Sequence, residues 1–195
     1  MRSLVVYCHP DPNSFVAAAR DVVVDTLTAA GHEVRVTDLY ADGFDPVFSS
    51  DEHERHLDVG GHPDVDRYVS DLAWCEHLVL VYPTWWSGQP AMLKGWIDRV
   101  WVRGPVWELP EDGNRLEGRL RNVRRIVVVT THGSTKWINM LQGEAGKRVV
   151  TRTLRMVCHP LARTRWIAFY GMDRSTRSRR QAFLTRLPRR LTRRR

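Results

Sequence analysis

The sequence predicts a three-layer, doubly wound α/β fold around a five-stranded parallel sheet, and three observations carry that expectation. Short apolar runs suited to strands buried on both faces alternate with longer amphipathic segments. Turn-forming residues punctuate the alternation. A chain of 195 residues with 43% hydrophobic content can bury one sizeable core and needs no linker.

The first strand is LVVY at 4–7, followed by the turn-forming HPDPNS. Asn13 or Ser14 can cap the next helix, because Phe15, Ala18, Ala19, Val22, Val23 and Leu27 share one helical face, and Gly31 ends it. EVRVTDLY alternates as a second strand, and 78–82, 125–131 and 165–170 supply the third to fifth. Helices are expected over 65–73, 91–101, 143–157 and 175–187, with right-handed crossovers between parallel strands. The segments 49–61 and 106–118 are poorly patterned. The expected organisation is one domain over 1–187 and a basic tail, solvated and partly disordered, over 188–195.

Charge is distributed unevenly around a net of +8, since residues 151–195 hold fourteen arginines against the single acid Asp173. Such a segment attracts anionic membrane surfaces or nucleic acid through long-range electrostatics. No zinc-finger spacing or RNA-binding motif accompanies it, so no specific nucleic-acid partner is expected. Cys8, Cys75 and Cys158 are too widely spaced for a CxxC metal site and read as reduced, buried thiols. No apolar run approaches the roughly 20 residues of a membrane span, and the start MRSLVVYCHP is unlike a signal peptide. A cytoplasmic location is expected.

Ligands of parallel α/β sheets bind beyond the carboxyl ends of the strands. Three strand exits are rich in residues that bind or stack: CHPDPNSF, YPTWWSGQP and TTHGSTKW. The first offers His9, Asn13 and Ser14 before a helix whose leading amides suit a phosphate, although capping alone would also explain Asn13 and Ser14. In the second, Trp85 and Trp86 sit in a loop between Pro83 and Gly88; they either fill the core or wall the crevice as a flat apolar platform. The third supplies Thr130, Thr131, His132 and Gly133, small or hydrogen-bonding groups that let a heterocycle approach. A phosphate end, an aromatic wall and a polar edge together describe a flavin site. No GxGxxG or GxxxxGK[ST] occurs, which disfavours a Rossmann dinucleotide or a P-loop nucleotide.

The pieces HPDPNSF, YPTWWSGQPAMLKGWIDRVW and TTHGS resemble the flavodoxin-like NAD(P)H:quinone oxidoreductase family, with a likeness running from Leu4 to Leu187. The resemblance implies a flavodoxin-like fold, a noncovalent FMN or FAD, a homodimer, and ping-pong hydride transfer from NAD(P)H to quinones or similar flat acceptors, with no metal. Carried over by position, it places His9, Asn13, Ser14 and Phe15 around the flavin's phosphate and ribityl chain. Pro83, Thr84, Trp85 and Trp86 follow the ring, with Trp86 at the active-site wall. Thr130, Thr131, His132 and Gly133 line the pyrimidine edge, and Trp107 falls where an aromatic reaches the partner subunit's site. Trp86, Trp107 and His132 are thus the expected substrate contacts. His132 replaces a glycine of the usual T-T-G-G, so it either steadies charge on the reduced ring or is a hydrogen-bonding loop histidine. A second reading of the same resemblance is a flavin-binding ancillary subunit of a bacterial potassium-efflux system.

Overall fold

A computed structural model describes residues 1–60, 62–111 and 115–193. Strand β1 (Arg2–Tyr7) leads into helix α1 (Phe15–Ala29), and β2 (Glu33–Asp38) follows. A loop carrying the short α2 (Ser50–Glu54) precedes α3 (Asp66–Trp74), β3 (His77–Pro83) and α4 (Ala91–Val100). Two-residue strands β4 (Trp107–Glu108) and β5 (Glu117–Gly118) pair antiparallel. The chain then forms β6 (Arg125–His132), α5 (Lys136–Leu141), α6 (Ala145–Arg148), β7 (Arg163–Tyr170) and α7 (Arg177–Thr192).

The main sheet has five strands in the order β2-β1-β3-β6-β7, and every pairing is parallel. Central strands read as unbroken apolar runs because both faces are covered: all seven residues of β3 are buried. The edge strand β2 tolerates Glu33 and Arg35 because its outer side is exposed. Alternation divides the core in two. Leu4, Val6, Leu78, Leu80, Ile126 and Val128 pack beneath α3 and α4, while Val5, Val79, Val81, Val127, Val129 and Ile167 pack beneath α1 and α7. The three thiols are buried, and burial pushes each up to about 12, which keeps them protonated.

Several elements differ from expectation. Ser49 and Glu52 form a reciprocal capping box that starts α2 in a segment without apolar periodicity. Thr135 caps α5 where a loop was expected. The helix expected over 143–157 starts instead at Ala145 and runs through a π-helical stretch, Val149–Leu154.

The tail expected over 188–195 is helical as far as Thr192, and residues 194 and 195 lie outside the described residues. Pro188 costs a helix about 3 kcal/mol. Leu191, beyond the proline, is buried against the same cluster as α1 and returns about 1.5 to 3 kcal/mol, so its burial offsets much of the break.

Candidate functional site

The sheet order reverses between β1 and β3, and the carboxyl ends of β1, β3 and β6 meet beside the start of α1. There a cleft of about 530 Å³ is lined by His9, Ser14, Phe15, Val16, Pro83, Thr84, Trp85, Trp86, Thr131, Gly133, Met172 and Asp173. The three expected loops therefore converge.

Ser14 is the N-cap of α1: its side chain accepts the Ala17 amide at 3.1 Å. That leaves the amides of Phe15 and Val16 facing the cleft without a partner inside the helix, at its positive end. The Phe15 ring is occupied elsewhere, 5.3 Å from Phe169 and 5.9 Å from Phe183, and this packing fixes where α1 begins. Nδ1 of His9 lies 3.0 Å from the Asp11 amide nitrogen and 3.1 Å from the Asp11 carbonyl oxygen, so the turn holds the ring at the rim of the cleft. Asn13 is exposed and outside the cleft lining; its amide donates to the Asp11 carboxylate at 2.8 Å, which makes it part of the turn.

The tryptophans belong to a two-residue hairpin turn, Trp85 at its base and Trp86 at its tip. Trp85 and Gly88 exchange backbone hydrogen bonds at 3.2 and 3.0 Å, and the central residues Trp86 and Ser87 have φ of 49° and 62°. Both positive values match the twist a tight hairpin needs, yet neither residue is glycine. The loop is held from behind, where Ser87 Oγ donates to Gln142 Oε1 at 2.8 Å and Gln89 Nε2 to the Gly146 carbonyl at 2.9 Å. The Trp86 side chain is left fully exposed at 103%, and Trp85 at 43%.

Alternation along β6 separates its expected site residues. Thr131 turns toward the cleft, whereas Thr130 and His132 lie on the other face with Ile126 and Val128. His132 is 7% exposed and stacks on Tyr170 at 4.7 Å. It is linked to the cleft through Thr84, whose Oγ1 lies 2.9 Å from Thr130 Oγ1 and 3.4 Å from His132 Nε2. Burial holds the imidazole below its usual pKa, against weaker upward contributions from Asn139 and Glu144, so the ring is neutral near pH 7. Trp107 is outside this cleft as well. It donates to the Trp101 carbonyl at 2.6 Å and lines a separate cavity of about 330 Å³ with Phe48 and Trp101.

Val16, Met172 and Asp173 complete the lining without having been singled out from sequence. The last two follow β7, whose exit lies next to that of β6; Gly171 at φ 72° marks the turn that carries them there. A Cβ on Gly133 would stand 2.5 Å from the Asp173 carboxylate, so this glycine lets the acid approach the mouth of the cleft.

An all-parallel sheet of this strand order, with a cleft at its switch point, defines a flavodoxin-like α/β protein. The chain belongs to the family Flavodoxin_2, described by its flavodoxin-like fold and matched over residues 1–186. A ribosyldihydronicotinamide dehydrogenase-like protein of Penicillium crustosum is 32% identical over 155 residues, covering 68% of this chain and 58% of its own length. The chain thus spans about three fifths of that curated relative. Among solved structures, Smu.1420 of Streptococcus mutans UA159 is 30% identical with a TM-score of 0.84, covering 97% of each chain. The NAD(P)H:quinone oxidoreductase of Methanothermobacter marburgensis is 26% identical with a TM-score of 0.79, covering 97% of this chain and 94% of its own.

Proposed function

We propose that this protein is a flavin-dependent oxidoreductase that takes a hydride from NAD(P)H and passes it to quinones or similar flat electrophiles. The observation that carries the reading is the cleft itself: unpartnered α1 amides at one end, an exposed indole at its wall, and Thr131 with Gly133 at its edge. Its volume and chemistry fit a phosphate-bearing planar group. The relatives' names point the same way.

FMN or FAD, once bound, supplies two-electron chemistry in two half-reactions, with donor and acceptor using one slot in turn. The chain's own residues bind and orient. The Phe15 and Val16 amides, aided by Ser14 and the His9 ring, receive the phosphate. Trp85 and Trp86 cover a ring face, and Pro83 and Thr84 run along its side. Thr131 and Gly133 admit the ring's polar edge. His132 acts from behind Thr84, fixing the direction in which that hydroxyl presents its proton. It therefore positions Thr84 and touches neither cofactor nor substrate.

A homodimer belongs to the same proposal. Trp86 and the α5 side chains Trp137, Ile138, Met140 and Leu141 are all exposed, and the Ser87–Gln142 bond joins the two elements into one apolar surface for a second copy to cover. Light scattering on the purified chain tests this, and a monomer at micromolar concentration would refute it.

The decisive experiment is the visible spectrum of the purified protein with chromatography of the released cofactor. The expected result is a yellow protein that NAD(P)H bleaches without oxygen and a quinone restores. Folded protein that stays colourless and takes up neither FMN nor FAD overturns the reading.

A further inference from the structure

Asp173 lines the cleft but has no task in the fold. It is the single acid among the fourteen arginines of residues 151–195, and Arg174 follows it directly. Even so, no ion pair or side-chain hydrogen bond among the described residues involves it. It lies in the first turn of the short 3-10 helix Met172–Arg174, whose N-cap is Gly171, and no side chain caps that helix. Neither ion pairing nor capping therefore accounts for an acid at this position.

The surroundings nevertheless hold the carboxylate in place. The Gly171 amide donates to the Ser134 carbonyl at 2.9 Å, which ties the exit of β7 to that of β6. Ser175 Oγ donates to the Met172 carbonyl at 2.8 Å, and Met172 packs against the core cluster that contains Val16. Across the cleft edge, a Cβ on Gly133 would stand 2.5 Å from one carboxylate oxygen of Asp173 and 3.0 Å from the other. Gly133 is not among the glycines at positive φ, so its backbone conformation does not demand glycine. What the missing side chain provides is room for the carboxylate.

Thr131, two residues before Gly133, is 7% exposed and lines the same cleft, and its hydroxyl has no partner among the described residues. A carboxylate that only accepts and a hydroxyl that can donate thus stand together at one edge of the cleft. The other end, at the α1 amides, suits a phosphate. A carboxylate near a phosphate site repels the ligand unless the ligand brings a hydrogen to it.

We propose that Asp173 is the hydrogen-bond acceptor for an imide N–H on the polar edge of the bound ring, and that it selects ligands carrying one. The inference rests on the flavin reading above and deepens it. An imide sets one N–H between two carbonyls, which a carboxylate beside a hydroxyl complements. A site built to take an N–H discriminates strongly, because an analogue without it leaves the carboxylate unmatched.

The test compares FMN with N3-methyl-FMN, in which a methyl group replaces the imide hydrogen, by quenching of flavin fluorescence on stripped full-length protein. Wild type should prefer FMN at least tenfold. Asp173→Ala should bind FMN at least tenfold more weakly and N3-methyl-FMN no more weakly than wild type does, so that the preference disappears. The sign is diagnostic, since removing a negative charge near a phosphate would by itself strengthen binding. Asp173→Asn keeps an acceptor oxygen in the same place and should retain part of the preference. Both variants should melt with wild type when ligand-free, because the side chain has no partner in the fold.

FMN binding by Asp173→Ala that is unchanged or stronger, a preference that survives in full, a loss as complete in Asp173→Asn, or a lowered melting temperature each overturns the assignment of Asp173 and leaves the flavin reading standing. A wild-type protein that binds neither flavin overturns that reading and this one with it.

Discussion

Replacing Trp86 should separate protomer stability from ligand affinity, because the fully exposed indole makes no packing contact within its own chain and forms part of the cleft wall. The side chain is 103% exposed and its backbone sits at φ 49°. A bulky residue held in the left-handed region costs of order 1 to 3 kcal/mol. Trp86→Gly removes that strain and gives up about 0.5 to 1 kcal/mol in unfolded-state entropy, a net gain of up to about 2.5 kcal/mol. At about 2 to 4 °C per kcal/mol for a chain this long, the melting temperature of the ligand-free protein diluted to the monomer should rise by up to about 10 °C. Trp86→Ala keeps a Cβ at positive φ and should gain less. Bound ligand reverses the sign. Losing about 100 Å² of stacked contact at about 25 cal/mol/Å² costs near 2.5 kcal/mol at most, so flavin or acceptor binding should weaken by up to about seventyfold. Differential scanning fluorimetry on stripped protein and quenching of added flavin fluorescence read the two effects. A lower melting temperature, or unchanged flavin affinity together with an unchanged acceptor KM, would refute the reasoning.

Three further substitutions probe the packing and charge of the core. A Cβ on Gly95 would lie 2.2 Å from the Pro46 carbonyl oxygen and 2.5 Å from its Cα, both backbone atoms; Gly95→Ala should therefore lose about 1 to 3 kcal/mol in urea unfolding. A loss under about 0.5 kcal/mol would show that the loop yields freely. Buried Arg99 binds Glu52 at 2.7 Å, Asp64 at 2.7 Å and the Asp45 carbonyl at 2.6 Å, and Arg99→Met should cost about 3 to 5 kcal/mol by stranding the Glu52 charge. Adding Glu52→Met should recover part of that loss, and no recovery would mean that the stranded charge is not the cause. Burial, then the charge of Arg125, lowers the His77 pKa from 6.5 to about 3, so the unfolded chain binds the extra proton. This contribution is complete above pH 6.5 and is lost as pH falls toward 3, with a slope of up to about 1.4 kcal/mol per pH unit. Denaturant melts at pH 4.5 and 6.5 should show a smaller difference in His77→Gln than in wild type, and equal differences would place the titration elsewhere.

The sheet was legible because its strands obey simple rules: LVLVY and IVVVTT read as buried on both faces, and both are. Helices with one apolar stripe were legible for the same reason. What escaped were elements fixed by short-range polar chemistry. The start of α2 depends on the Ser49–Glu52 reciprocal bonds, and α5 on Thr135, neither of which alters hydrophobic periodicity. Pro188 read as a helix end because local propensity favours that, while Leu191 finds its partners only in the tertiary fold. In the cleft, composition located the loops but not the side-chain directions. Period-two alternation along β6 settles those, sending Thr131 to the cleft and His132 behind Thr84. Asp173 was visible as the lone acid of an arginine-rich segment, a signal about charge that carried no information about place.

The two ends of the sheet acquire opposite tasks from one topological fact. In parallel α/β units each helix starts near the carboxyl edge of the strands and ends near the amino edge, so dipole-positive ends collect at one edge and dipole-negative ends at the other. The positive end of α1 suits an anion with no basic side chain among the residues that line the cleft, apart from His9. The amino edge requires cations merely to satisfy the end of α7, which Arg125 and Arg165 do. Arginine-rich composition is thus partly a consequence of where the last helix terminates.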